Sequence, residues 1–491
     1  MRTPWLDAER SPGETALIVR DERLTRLELA RRADALASWL SEAGVRPGHV
    51  VSALLQNGAC FAALLHAVDR LGAILLPLNL RLSSAELAFI LKDARPRILV
   101  HGPGPISEQA REAARLAGRL QSSPLPDLVH AEPQAARPQS AGATDDPFLL
   151  LYTSGTTGRP KGVVLTHANL AASARASARH LGASPADCWL ACLPFYHVGG
   201  LSILLRGAAH AHPVLVHQRF DAEAVDHCLE DGSATHVSLV PTMLARLLAQ
   251  RGARRAPQSL RLVLLGGGPL PDSLLSRARA LGFPVAPTYG LTEASSQVAT
   301  RAPASLAGEA SPGLDPLPGL QLRIVAQHGG DAEAGAEGEI LVRGPTVMPG
   351  YLESPYETRL ALRNGWLHTG DAGRLDAQGR LHVVDRRSDL ILSGGENVYP
   401  AEIEAVLQQH PDILEAAVAG VEDEEFGARP AAWVVARPGC SPTAAELEHF
   451  CRLQLAAFKV PTRFSFVGDL PRTASGKLQR YRLWNSRPTS P

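Results

Sequence analysis

Apolar and polar positions change period repeatedly along this chain. Short apolar runs at 48–54, 72–76, 97–100, 149–153, 235–240 and 261–265 read as buried strands. Between them lie amphipathic stretches such as 26–43, where Leu, Ala and Arg recur with a period near 3.6, as in a helix. Pro241 and Pro271 each follow a strand and open a helical stretch, a favoured first-turn position. Strands alternating with helices predict an α/β protein with parallel βαβ sheets. The segment 121–146, rich in Pro, Ser and Ala, reads as a surface connection, and 326–338 as a turn between strands. A strand at 381–385 is followed by the charged run Arg386-Arg387-Ser388-Asp389 and then by a compact unit of about 100 residues. A domain boundary is therefore expected near 385–389, and the tail 485–491 is expected to be disordered.

Composition narrows the function. The chain has 491 residues, 45% hydrophobic and 20% charged, ordinary for a globular protein of several cores. Lys+Arg and Asp+Glu are both 49, so no basic excess marks a nucleic-acid or membrane-surface binder. No apolar run approaches the ~18 residues of a membrane span, and the N-terminus lacks an apolar signal region. A cytoplasmic protein is expected. The six cysteines form no Cys-x-x-Cys pair, and His210 and His212 have no third ligand at sensible spacing. Of the 49 cations only four are lysines (Lys92, Lys161, Lys459 and Lys477), so each lysine is a candidate for a place where a compact ammonium matters.

The sharpest local signal is Tyr152-Thr153-Ser154-Gly155-Thr156-Thr157-Gly158-Arg159-Pro160-Lys161-Gly162. Glycines allow close backbone approach to an anion, and hydroxyls and amides donate to phosphate oxygens. Gly155 and Lys161 have the spacing of a P-loop, but Pro160 and Gly162 replace its Gly and Ser/Thr, and the residues after Lys161 read as a strand. This is a phosphate loop of another design.

That loop resembles the signature of the adenylate-forming superfamily of acyl-CoA synthetases, peptide-synthetase adenylation domains and luciferases. Further pieces follow in the expected order: Tyr289-Gly-Leu-Thr-Glu293, Gly365-Trp-Leu-His-Thr-Gly-Asp371, Asp385-Arg386, Gly394-Gly-Glu-Asn-Val-Tyr-Pro400 with Glu402, and Pro471-Arg-Thr-Ala-Ser-Gly-Lys477. The resemblance implies a large N-terminal domain (1–384) of βαβ-type subdomains with a β-rich part. It also implies a hinge at 385–388 including Arg387 and Ser388, and a small mobile C-terminal α/β domain (389–491). It implies activation of a carboxylic acid by ATP, with Mg²⁺, to acyl-AMP and pyrophosphate, then thioester formation with coenzyme A.

By the same resemblance, Thr153, Ser154, Gly155, Thr156, Thr157, Gly158 and Lys161 hold phosphates and Glu293 holds the metal. Gly266, Gly267, Gly268, Tyr289, Gly290, Thr292, Asp371 and Arg386 take the adenine and ribose. Lys477 bridges the acid and the α-phosphate, and Gly394, Gly395 and Glu396 line the thiol path. Lys459 is either structural or near that path.

The acid is read from three segments. They are Pro194–Arg206 with His197, the glycines Gly266–Gly268, and the small polar residues Ser295, Ser296 and Gln297. These are similar to the o-succinylbenzoate–CoA ligase branch of the superfamily, which serves menaquinone synthesis. Glycines leave room for a flat ring, and the ring carboxylate of a dicarboxylic substrate needs a cation. Arg206 is the candidate; alternatively it caps a carbonyl or pairs with a core acid. His197 is assigned with Lys477 to the catalytic set as a gate of the pocket, or it is an ordinary histidine at a strand–helix turn. Two alternatives stay open, a fatty, benzoic or hydroxycinnamic acid substrate and a carrier protein as acceptor instead of coenzyme A; a non-catalytic binding homologue is disfavoured by the retained Lys161, Glu293, Asp371 and Lys477, and a homo-oligomeric state is left open.

Overall fold

The computed structural model describes residues 5, 11–118, 120–126, 143–154, 160–268, 270–301, 313–326, 330–385, 390–471 and 480–485. By contacts the chain divides into two compact units. The larger comprises 1–80, 94–151 and 162–385; the smaller comprises 386–491 together with 81–93 and 152–161. The sequence gives no hint that these two inner segments join the C-terminal part. Arg386, Arg387 and Ser388 lie outside the described residues.

The larger unit is built on two sheets of largely parallel strands. One places Val285–Leu291, Leu262–Leu265, His236–Leu239, Trp189–Ala191, Val214–Val216 and Thr15–Val19 side by side in parallel, with antiparallel strands at both edges. The other runs through Ile74–Pro77, Val50–Leu54 and Ile98–His101. Most residues of these strands are apolar and buried, as expected where helices cover both faces. An antiparallel sheet of Gln321–Val325, Gly338–Arg343, Trp366–Leu375 and Leu381–Asp385 is the β-rich part.

Local chemistry fixes the helix ends. In Arg26–Glu42 the N-cap Thr25 and Glu28 form a reciprocal capping box, while Leu29, Ala33, Leu36 and Leu40 face the core. Thr166 and Asn169 do the same for His167–Leu181, which Gly182 ends in a left-handed conformation. Pro241 is the first residue of its helix, as expected; Pro271 stands one place earlier, as the N-cap of Asp272–Ala280.

In the smaller unit, strands Ile391–Ser393, Glu396–Val398, Ile413–Asp423, Gly427–Ala436 and Phe464–Phe466 form one sheet. Helices Pro400–Leu407 and Ala444–Arg452 pack with it around Ile403, Val418, Val434 and Leu447. Leu82, from the segment 81–93, packs against the same cluster.

Candidate active site

Open α/β sheets bind ligands outside the carboxyl ends of their strands. In the larger unit, three parallel strands of one sheet deliver predicted residues there. Trp189–Ala191 leads to His197, Leu262–Leu265 to Gly266–Gly268, and Val285–Leu291 to Glu293.

Glu293 sits in a single 3₁₀ turn, Thr292–Ala294, and is buried. Its Oε1 accepts the Tyr351 phenol at 3.0 Å, and its carbonyl accepts the Met348 amide at 2.9 Å. Behind it the backbone turns sharply: Ser295 and Ser296 both have positive φ, 57° and 98°, a cost tolerated where surroundings over-determine the conformation. Gly290 is obligatory at this turn, because a Cβ there would lie 1.8 Å from the Ser296 carbonyl oxygen.

Asp371 is aimed by a bulge. In the pairing of Gly338–Arg343 with Trp366–Leu375, Glu339 opposes Ala372 but Leu341 opposes His368, so 369–371 bow out of the ladder. The Asp371 amide donates to Thr369 Oγ1 at 3.1 Å, and Oδ2 accepts the Tyr289 phenol at 2.7 Å. Tyr289, placed with the adenine and ribose residues by resemblance, is 1% exposed. It lies opposite Ala299 in Val285–Leu291 and its phenol is bonded to Asp371.

The acid-pocket segments converge differently from expectation. Helix Val198–His210 begins at the N-cap His197, whose ring meets Tyr196 edge-on, and packs against Ser296–Thr300. Ser295 Oγ donates to the Thr346 carbonyl at 2.8 Å. Gln297 accepts from Ser177 Oγ at 2.7 Å and donates to Thr300 Oγ1 at 2.9 Å. Both side chains, expected to contact substrate, are buried and hydrogen-bonded to protein groups.

Arg206, on the same helix about 13 Å beyond His197 at 1.5 Å per residue, is 3% exposed. It caps no carbonyl and pairs with no acid among the described residues. Its Nη1 donates to Ser202 Oγ at 3.1 Å, and its guanidinium lies 4.3 Å from the Trp189 ring centroid. Nε and Nη2 have no partner. Burial with no counter-charge pushes its pKa down to about 9.

Within the smaller unit, Thr153 and Lys161 are half-buried at the ends of strands Pro147–Ser154 and Pro160–Thr166. Gly155, Thr156, Thr157 and Gly158 lie outside the described residues, as do the Ser154 side chain and Lys477. Gly394 and Gly395, φ 58° and 86°, form the two-residue turn of the hairpin Ile391–Val398, a conformation that requires positive φ at both positions. Glu396 follows, buried, its Oε1 3.4 Å from Arg81 Nη1.

Sequence reasoning gave Lys459 no firm place. It is buried, with Nζ 2.7 Å from both Glu86 Oε1 and Glu402 Oε1. Burial alone would lower its pKa, but the two carboxylates outweigh it and hold the ammonium above its ordinary range. Burial likewise pushes Glu402 up despite the lysine. The scarcity of lysine was the signal that could have found this cluster.

Among the described residues no group of three or more His, Cys, Asp or Glu could hold a metal ion, and no helix is long and apolar enough to cross a membrane. The lone carboxylate Glu293 suits Mg²⁺ in company with nucleotide phosphates, which takes one or two carboxylates and keeps other oxygens.

The comparisons agree along the whole chain. Residues 5–352 match the AMP-binding enzyme family and residues 402–477 the AMP-binding enzyme C-terminal domain. A 2-succinylbenzoate–CoA ligase of Geobacillus sp. (strain WCH70) is 42% identical over 474 residues, 96% of this chain and 94% of the relative. A double mutant of the o-succinylbenzoate CoA synthetase (MenE) of Bacillus subtilis, bound with its product analogue OSB-NCoA, superposes with a TM-score of 0.92 at 38% identity, covering 99% of both chains. The same enzyme with ATP and magnesium ion gives 0.74 at 38% identity, over 98% of this chain and 99% of the other. The chain belongs to the AMP-binding enzyme family.

Proposed function

We propose that this protein is an AMP-forming 2-succinylbenzoate–CoA ligase. The aliphatic carboxylate attacks the α-phosphorus of ATP, giving the mixed anhydride and releasing pyrophosphate. The thiol of coenzyme A then attacks the acyl carbon, AMP leaves, and the thiol proton is released. Attack of one anion on another requires positioned donors and cations. Thr153, Ser154, Thr156, Thr157 and Lys161 supply these to the β- and γ-phosphates, and Lys477 bridges the acid and the α-phosphate. Glu293 holds Mg²⁺, which neutralises phosphate charge. Asp371, with Tyr289 behind it, accepts the ribose hydroxyls. Alternation about 385–388 withdraws Lys477 between the two steps, and Gly394 to Glu396 then line the thiol path.

The observation that carries the choice of acid is Arg206. Nε–H and one Nη2–H form the side-on fork of a guanidinium, the geometry that matches a carboxylate with two parallel hydrogen bonds. Here that fork is buried and has no partner among the described residues. A buried cation without a counter-ion is costly, and the ring carboxylate of o-succinylbenzoate supplies one. The test is thioester formation with ATP, Mg²⁺ and coenzyme A across o-succinylbenzoate, benzoate, 4-coumarate, octanoate and succinate. The expected result is a kcat/KM for o-succinylbenzoate roughly a hundredfold above the rest, about 2.7 kcal/mol. Another acid ahead of it sinks the assignment, and adenylate without thioester points to a carrier-protein acceptor.

A further inference from the structure

Resting on the reading of Arg206 as a carboxylate receptor, we infer that Trp189 is the positioning residue that sets the plane of its guanidinium and thereby the preference for an aryl acid bearing a second carboxylate. A guanidinium offers three N–H edges and two faces. Ser202 takes the Nη1 group and Trp189 takes one face, 4.3 Å from its ring centroid. The edge left over is the Nε/Nη2 fork.

Trp189 is itself immobilised. It is the first residue of strand Trp189–Ala191, in register with Val214 and His236 on either side, and is 2% exposed. Its indole Nε1 donates to Ser238 Oγ at 3.0 Å, and the His236 and His212 rings pack on it with centroids at 5.1 and 6.0 Å. An indole held this way cannot turn, so the cation stacked on it is confined to one plane.

The surroundings leave the charge uncompensated. His210, His212 and His236 are held below the usual histidine range by burial in the first place, with Arg206 adding to the effect, so they stay neutral. The acid of this cluster, Asp187, is bound by Arg261 and faces His236. A flat aromatic wall under an arginine both stabilises the cation and preserves its fork. An aliphatic wall would do neither.

The experiment compares kcat/KM for o-succinylbenzoate and for 4-oxo-4-phenylbutanoate, which keeps the keto acid and lacks the ring carboxylate. Trp189→Leu should lower the ratio of the two by at least ~tenfold, chiefly through KM for o-succinylbenzoate, while the flat Trp189→Phe stays within ~threefold. On an Arg206→Leu background, Trp189→Leu should change the ratio no further. Equal losses for both acids, a Phe variant as poor as Leu, or a ratio loss that persists without Arg206 overturns the proposal. Should the Leu variant fail to fold, Trp189→Met takes its place. If Arg206→Leu alone leaves the ratio unchanged, the carboxylate reading itself has failed. If Arg206→Leu lowers the ratio and Trp189→Leu does not, only the role of Trp189 falls.

Discussion

The phenol of Tyr289 donates to Asp371 Oδ2 at 2.7 Å, joining the central parallel sheet to a bulge in the antiparallel one. One carboxylate oxygen is thereby fixed. Hydrogen bonds to charged groups contribute about 1.5–3 kcal/mol. Tyr289→Phe should therefore raise KM for ATP by roughly tenfold or more while moving KM for the acid little. Initial rates over a grid of both substrates decide it. An equal rise in both constants would mean that the tyrosine serves the fold and not the nucleotide.

Glu293 has an analogous partner in Tyr351, whose phenol lies 3.0 Å from Oε1. Groups that orient a metal-binding side chain typically matter ten- to a hundredfold in metal affinity. Tyr351→Phe should raise the half-saturating Mg²⁺ concentration about tenfold and recover most of its kcat at high Mg²⁺. Loss of activity that no Mg²⁺ concentration restores would separate the tyrosine from the metal.

Lys477 is assigned to the first half-reaction only. Lys477→Ala should abolish adenylate formation, read as pyrophosphate exchange into ATP, yet spare thioester formation from supplied acyl-AMP and coenzyme A. Equal loss of both half-reactions would refute the assignment.

Much of this was legible in the sequence because parallel strands are short uniform apolar runs and because phosphate chemistry demands glycines and hydroxyls at fixed spacing. The apolar run 261–265 located the strand that carries Gly266–Gly268, whereas the strands leading to His197 and Glu293, Trp189–Ala191 and Val285–Leu291, are not among the runs read. What else escaped was pairwise. Ser295 and Gln297 read as free polar groups next to Glu293, but whether a hydroxyl faces a ligand or Thr346 depends on a chain fifty residues away. Tyr289 shows the same limit: its motif predicts nucleotide contact, while the strand register decides that its phenol reaches Asp371. Arg206 lay between these cases. An arginine on an apolar helix promised a partner, and only side-chain geometry distinguishes a filled fork from an empty one.

Lys459 closes a buried cluster in which one ammonium serves two carboxylates, Glu86 and Glu402, and Glu402 Oε2 has no hydrogen bond among the described residues. The two glutamates are therefore not equivalent to the lysine. Removing Lys459 strands both carboxylates, and breaking a buried pair this way costs about 3–5 kcal/mol. Glu402→Gln leaves the Lys459–Glu86 pair intact and should cost less than about 1.5 kcal/mol at pH 7. The pH dependence has a definite sign. A carboxyl whose folded pKa is raised binds its proton longer in the native state, so stability falls as pH rises from the ordinary value of 4.5 through the raised one. For Lys459, also raised, the contribution is complete below its ordinary 10.5 and is lost only as pH climbs through the folded value. Hydrogen exchange of peptides covering Pro400–Leu407 and Ala457–Lys459 should report the largest loss of protection for Lys459→Met. For Glu402→Gln it should report a flatter dependence on pH above 4.5 than the parent shows. Equal losses for the two variants, or an unchanged pH slope without Glu402, would mean that the cluster is not held by its single lysine.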